Sequence, residues 1–384
     1  MAIMSTVSKK DVNARTAQLV DMLEELGPDI PEISRRLGQF KESVRYRYKE
    51  KILNKGLAVQ GVVDDKRFGL DRMILVAGFE NEYLPFAAAI LTAMNELCYL
   101  VNFAKTLPSG QYVGHLSVPA GLKPEIRDFL MDLKQKGMFS RLEVLESDWL
   151  LRAPMRSECY DFDTGRWEYD WSNPPTKSFE TASRQPSTPS KFDYTDLLLV
   201  KEFQMDANKS LKEISERLDL NYKKVAWHFN THVKARHLLR GYSLRWIGTK
   251  YDYGADKALH RQHRYFAMSL LVRDVNDYEL ISLRQDANKV PFLWSEAIGR
   301  NYMAEFVFPL DYVVEGMQWL SKLIVPVKSR SELFTIDQTA SLGFTIPYTL
   351  YDQALKKWRL ESADLARRFD SLIMQIKTGG GWKS

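Results

Sequence analysis

The chain has 384 residues, 45% of them hydrophobic, with 54 Lys and Arg against 49 Asp and Glu and a formal charge of +5. That length can bury more than one core, and two cysteines, Cys98 and Cys159, exclude a disulfide scaffold and a four-cysteine zinc site. No apolar run reaches the roughly 18–20 residues of a bilayer span and the start, MAIMSTVSKKDVNAR, lacks an apolar signal core, so a cytoplasmic protein without a membrane partner is expected.

Leu19, Val20, Met22, Leu23 and Leu26 form a helical stripe that Gly27-Pro28 ends. Asp29 is the N-cap of a short second helix with Pro31 in its first turn, closing at Leu37-Gly38. A third helix is expected over 41–55, with Val44, Tyr48 and Ile52 inward and Gly56 as its stop. Short β-prone pieces around Asp64-Asp65 suit a wing hairpin. Next come a strand over 72–80, a helix over 83–97, strands over 98–107 and 111–119, a helix over 122–137 and a strand over 139–147, the order βαββαβ. Cys98 opens a strand in this reading and is buried and inert. Residues 148–171 are aromatic and irregular, with Trp149, Trp167 and Trp171 as packing residues.

The series then repeats. Residues 32–57 and 213–238 align without a gap, 181 residues apart, and Tyr160-Asp161 before Trp167 returns as Tyr351-Asp352 before Trp358. The second copy has helices over 194–205, 210–219 (with a Ser210–Glu213 capping box) and 221–239, and then strand-like GYSLRWIG. Its βαββαβ unit runs through strand 264–273, helix 276–289, strands 291–298 and 301–309, helix 311–324 and strand 332–337. A strand-like stretch over 341–348 and a long amphipathic helix over 350–377 close the chain.

The fold class is therefore α+β: two tandem copies of a winged helix-turn-helix plus a ferredoxin-like βαββαβ domain. The expected boundaries are 12–70 and 71–171 for the first copy, a Pro/Ser/Thr-rich linker over 172–192, 193–250 and 262–340 for the second copy, and 341–384 for the C-terminal strand and helix.

The third helix of each copy carries the positive charge. Lys41, Ser43, Arg45, Tyr46, Arg47 and Lys49 in the first, and Tyr222, Lys223, Lys224, Trp227 and His228 in the second, are the candidate contacts to double-stranded DNA. His228 and His232 are spaced to share a metal, but no nearby Cys or patterned carboxylate completes a site, so they read as a polar face that meets phosphate. His260-Arg261-Gln262-His263-Arg264 reads as a solvated or backbone-contacting loop, and Gly379-Gly380-Gly381 as a flexible tail. No phosphate-loop, dinucleotide or nucleophile-elbow motif occurs, and no catalytic residue, cofactor or metal is expected.

Ile33-Ser34-Arg35-Arg36-Leu37-Gly38, Val44-Arg45-Tyr46-Arg47 and Gly110-Gln111-Tyr112 resemble the motifs I-A-x-x-L-G, V-R-x-R and G-x-Y-D of the Lrp/AsnC (feast/famine) transcriptional regulators of bacteria and archaea. Val113 stands where that family has an acid, and Gly299-Arg300-Asn301-Tyr302 fits the third motif loosely. The resemblance implies a DNA-binding, effector-responsive regulator rather than an enzyme. Its two halves would pair in cis over adjacent half-sites, and a homodimer of whole chains could use the apolar sheet faces and the last helix. A second reading is an enzyme. Siroheme decarboxylases share this domain plan and act on tetrapyrroles, and such a site wants His and Arg clustered in the sheet domain, where the first copy offers one histidine, His115. A protein-binding scaffold is a third.

Overall fold

The computed structural model describes residues 9–173, 188–246, 265–360 and 362–378. Most of the expected linker, the 260–264 basic run and the triple-glycine tail lie outside them.

In the first copy α1 (Lys9–Leu26), α2 (Ile30–Leu37) and α3 (Lys41–Arg47) form the helix-turn-helix. Asp29 caps α2 by accepting from the Glu32 N–H at 3.2 Å, and Gly38 ends it in a left-handed conformation (φ 61°). β1 (Ala58–Val63) leads into β2 (Leu70–Phe79), α4 (Ala87–Cys98), β3 (Leu100–Leu107), β4 (Tyr112–Pro119), α5 (Lys123–Gln135) and β5 (Phe139–Ser147). A tail follows with β6 (Trp149–Arg152), β7 (Tyr160–Asp161) and β8 (Arg166–Trp167).

The second copy gives α6 (Tyr194–Met205), α7 (Leu211–Arg217), α8 (Tyr222–His228) and β9 (Leu239–Arg245). Then come β10 (Tyr265–Val272), α9 (Asp277–Ala287), β11 (Leu293–Ile298), β12 (Tyr302–Pro309), α10 (Val313–Ile324) and β13 (Ser331–Gly343). Its tail holds β14 (Tyr351–Asp352), β15 (Lys357–Trp358) and α11 (Ser362–Lys377).

Several expectations change. The third helix of the first copy spans Lys41–Lys55 as expected, but it changes from α to the wider π winding over Tyr48–Ile52; that of the second copy makes the same change over Phe229–Lys234 and ends there, short of the expected 239. The first wing is not a hairpin. β1 pairs antiparallel with β9 of the other copy, Val59 opposite Leu244, and Asp65–Phe68 is a single 3-10 turn. Cys98 ends α4 rather than opening a strand; it is buried, and burial pushes its thiol up. The strand expected over 341–348 merges into β13 as far as Gly343, and the last helix begins at Ser362 because 351–358 folds into a small hairpin. That hairpin explains the sequence echo: Tyr160 pairs with Trp167, as Tyr351 pairs with Trp358.

Among the described residues one nine-stranded sheet contains both copies, in the order β5-β2-β4-β3-β13-β10-β12-β11-β6. β3 and β13 join the halves, with Phe103 opposite Leu342 and Thr106 opposite Ile336. Its two edge strands are consecutive in the chain, separated by Asp148 alone, so the sheet must roll until its edges meet. Ile74, Val76, Val113, Leu271, Ala297, Met303 and Phe334 fill the inside of the roll, with Leu145 and Leu150 against them.

The helices cover the outside, and the tails cross over. Trp167 packs on Trp246 and Phe292 of the second copy (ring centroids 4.8 and 5.6 Å apart), a packing role in line with its sequence reading. Phe369 of α11 is fully buried with the α4 and α5 residues of the first copy and lies 5.4 Å from Phe129. At one mouth of the roll Arg141 and Arg273 bind Glu143 and Glu332, with Arg273 reaching Glu143 at 2.8 Å and Glu332 at 2.7 Å. Each copy contributes to this four-charge knot. The Arg141 hydrogen bond holds the Glu332 carboxyl below its ordinary range.

At the seam the Asp148 N–H donates to the Ile298 carbonyl at 2.6 Å, and a Cβ on Gly299 would stand 2.8 Å from Asp148 N and Ser147 Cα. Both neighbours are backbone and cannot yield by a rotamer change. Gly299→Ala should therefore lower stability by about 1–3 kcal/mol, read as a shift in the urea midpoint. An unchanged midpoint would contradict this close passage of the two edges.

Candidate functional site

Side chains two apart on a strand share a face, so the residues that continue the inward rows beyond the apolar plug can be read off the register. In β2 the row Val76, Ile74 ends at Arg72. In β4 the row from Val113 runs through His115 to Ser117, and the pairings place Ile74 opposite His115 and Arg72 opposite Ser117. In β10 and β12 it is Ser269 opposite Glu305, and in β11 and β6 Ser295 opposite Arg152. The mouth opposite the four-charge knot is thus lined by a histidine, two arginines, a glutamate and several hydroxyls, drawn from both copies and the first tail.

His115 is 1% exposed. Asn102 fixes it: its Oδ1 accepts the His115 backbone N–H at 2.8 Å and lies 2.9 Å from Nδ1. An amide oxygen can only accept, so Nδ1 carries the proton and Nε2 keeps its lone pair. Nε2 is buried with no hydrogen-bond partner among the described residues. Burial depresses the imidazole to about 4; Glu305 opposes the shift, and the charges of Arg72 and Arg152 add to it.

Arg72 is anchored by Asp65, Nε to Oδ2 at 2.8 Å, while the other Asp65 oxygen accepts from Ser117 Oγ at 2.9 Å. Its Nη1 is buried without a partner among the described residues, as are the hydroxyls of Ser147 and Ser269. Arg152 sits over the Trp294 ring at 4.8 Å. Burial lowers its pKa, with Glu305 opposing and Arg72 adding, yet its surface stays accessible. Glu305 itself accepts from Ser295.

The arrangement offers two guanidiniums, one with an unused N–H, near a neutral imidazole whose buried Nε2 lone pair accepts no hydrogen bond among the described residues. That is a receptor for carboxylates beside a base. Sequence reasoning noted His115 but missed Arg72, Arg152 and Glu305. The signal for Arg72 is its alternation with Ile74 and Val76; Arg152 lies in a stretch read as irregular.

The residues proposed as DNA contacts lie elsewhere. Lys41, Ser43, Arg45, Tyr46, Lys49, Tyr222, Lys223, Lys224 and Trp227 are exposed, and Arg47 is half-buried. Arg45 is held by Glu42 at 2.7 Å, and Arg47 donates to Gln39 at 2.8 Å. His228 is the clear departure. It is 5% exposed, with Nδ1 turned inward to Asp196 at 2.8 Å, and so faces no phosphate.

No family model and no curated protein matches the chain. Among solved structures, the siroheme decarboxylase NirDL superposes over 96% of this chain and 100% of its own, with a TM-score of 0.51 and 12% identity. The same enzyme in complex with an iron-uroporphyrin III analogue gives 0.49 over the same shares at 12% identity. AsnC of E. coli covers 36% of this chain and 91% of its own, at 0.25 and 15%. The first likeness spans both copies and supports the fold, a helix-turn-helix plus ferredoxin-like unit repeated in tandem. It also overturns the expectations of a transcription regulator and of a chain without enzymatic activity, because the full-length counterpart is an enzyme. No helix among the described residues is long and apolar enough to cross a membrane.

The His115 geometry sets a pH dependence. Its imidazole has an ordinary value of 6.5 in the unfolded chain and about 4 in the folded one. Between these values the unfolded chain binds the extra proton, so the stability contribution is complete above about 6.5 and is lost as pH falls toward 4. The loss is of order 3 kcal/mol. His115→Asn should lose less stability than the parent between pH 7 and pH 4.5 in urea titrations. Parallel pH profiles would contradict the buried neutral imidazole.

Proposed function

We propose that the chain is an enzyme of the siroheme-decarboxylase kind, acting on a tetrapyrrole that bears carboxylate side chains. The observation that carries this reading is the polar end of the inward rows of the rolled sheet. His115, Arg72 and Arg152 meet there in the cluster that tetrapyrrole chemistry asks of the sheet domain, and the likeness to NirDL over the whole chain supports it.

The chemistry follows from the site. Arg72 and Arg152 bind acid side chains of the substrate, and Asp65 keeps the Arg72 fork aimed inward. His115 Nε2 accepts the proton of one carboxyl group. With His115 at about 4, that transfer is close to balanced against an ordinary carboxyl near 4.3. The bond between the methylene carbon and the carboxylate then breaks. CO2 leaves, and the electron pair stays with the methylene carbon, stabilised by the adjoining macrocycle. The imidazolium returns its proton to that carbon and leaves a methyl group. The step is redox-neutral and restores His115 to its starting form.

Iron-uroporphyrin III added to the purified chain should give a saturable shift of the main absorption band. Arg152→Ala should weaken that binding about 10–100-fold, the loss expected for a charged hydrogen bond of about 1.5–3 kcal/mol. His115→Asn should bind as well as the parent but release no CO2. An unshifted band, or unchanged affinity in Arg152→Ala, would rule the reading out.

A further inference from the structure

The second helix-turn-helix contains a cluster that the proposed reaction does not use. Asp193, Asp196, His228 and His232 place one potential ligand atom each within 4.8 Å of all the others. Asp196, on α6, is fully buried. Its Oδ1 lies 2.8 Å from His228 Nδ1, and its Oδ2 lies 2.8 Å from His232 Nδ1 and accepts the Asp193 N–H at 2.9 Å. Asp193 Oδ1 stands 3.7 Å from His228 Nδ1. The two histidines are four apart across the point where α8 opens into π winding, and both turn their Nδ1 atoms inward. The carboxylates come from a helix more than thirty residues upstream in sequence, so the histidine spacing alone gave no complete ligand set.

The geometry points to a site for a divalent first-row transition ion, held by two imidazoles and two carboxylates. With metal–ligand distances of about 2.0–2.2 Å, ligand atoms around a tetrahedral ion stand roughly 3.3 Å apart. The separations of 2.8 and 3.7 Å straddle that value. Donor chemistry agrees, since imidazole and carboxylate together suit ions of the zinc class. Charge agrees too: a fully buried carboxylate needs compensation, and a dication between Asp196 and Asp193 supplies it.

The first copy shows that the cluster is not a requirement of the fold. At the positions 181 residues before His228 and His232 it carries Arg47 and Lys51. Arg47 donates to Gln39, and Lys51 binds Asp163 of the tail. The same helices therefore pack there without a histidine pair on a buried acid. Trp227 lies 4.9 and 4.7 Å from the two imidazole rings and closes the cluster on its outer side.

The test uses the full chain, stripped with a chelator and titrated with Co2+. One equivalent should produce the visible bands of a tetrahedral ion, and Zn2+ should displace them. His232→Gln, with its fold checked by circular dichroism, should lose the bands or bind at least about tenfold more weakly. Asp193→Asn keeps a good N-cap and so keeps the fold; it should weaken Co2+ binding several-fold. Absence of tetrahedral bands in the parent would overturn the assignment. So would bands of unchanged affinity in a folded His232→Gln or in Asp193→Asn. A tetrapyrrole site at the sheet mouth would leave every one of these readouts unmoved, so the two proposals stand or fall separately.

Discussion

The pairing of β3 with β13 is the contact on which the rest of the molecule depends. It turns two four-stranded half-sheets into one surface, and the single residue between β5 and β6 forces that surface to roll up. Once rolled, neither copy has an inside of its own. The apolar plug takes Ile74, Val76 and Val113 from one copy and Leu271, Met303 and Phe334 from the other. The exchange of tails locks the arrangement from outside, and the β1–β9 ribbon does the same between the helix-turn-helix units.

This shared interior explains why the site is asymmetric. His115 and Arg72 belong to the first copy, Glu305 to the second, and Arg152 to the tail that crosses between them. Two identical halves would present two equivalent mouths. Here one mouth is neutralised by Arg141, Arg273, Glu143 and Glu332, while the other keeps buried polar atoms without partners among the described residues. Unsatisfied buried groups are costly, and Arg72 Nη1, His115 Nε2 and the hydroxyls of Ser147 and Ser269 are of that kind at this mouth.

Much of the fold was legible because it rests on local signals. The Ser210–Glu213 capping box, the Gly38 stop and the period-2 strands all follow from residue chemistry within a few positions. What failed was what depends on distant partners. β1 looked like half of a hairpin because its strand signal was real, but its partner lies 181 residues on, in β9. His228 sat on a helix otherwise rich in basic and aromatic residues, and nothing nearby in sequence announced that Asp196 would turn it inward. Arg72 and His115 were each visible as inward-phase residues. Their meeting with Arg152 needed the roll of the sheet, which no single strand reports. Exposed basic helices favoured a DNA-binding reading; the buried polar mouth, invisible at that level, favours chemistry.

A crystal structure of the chain with iron-uroporphyrin III tests the central claim most directly. The account places a substrate carboxylate within hydrogen-bonding distance of Arg72 or Arg152, with its reacting side chain against His115 Nε2. Electron density for the macrocycle on the outer helix faces, with the sheet mouth filled by solvent alone, would contradict it.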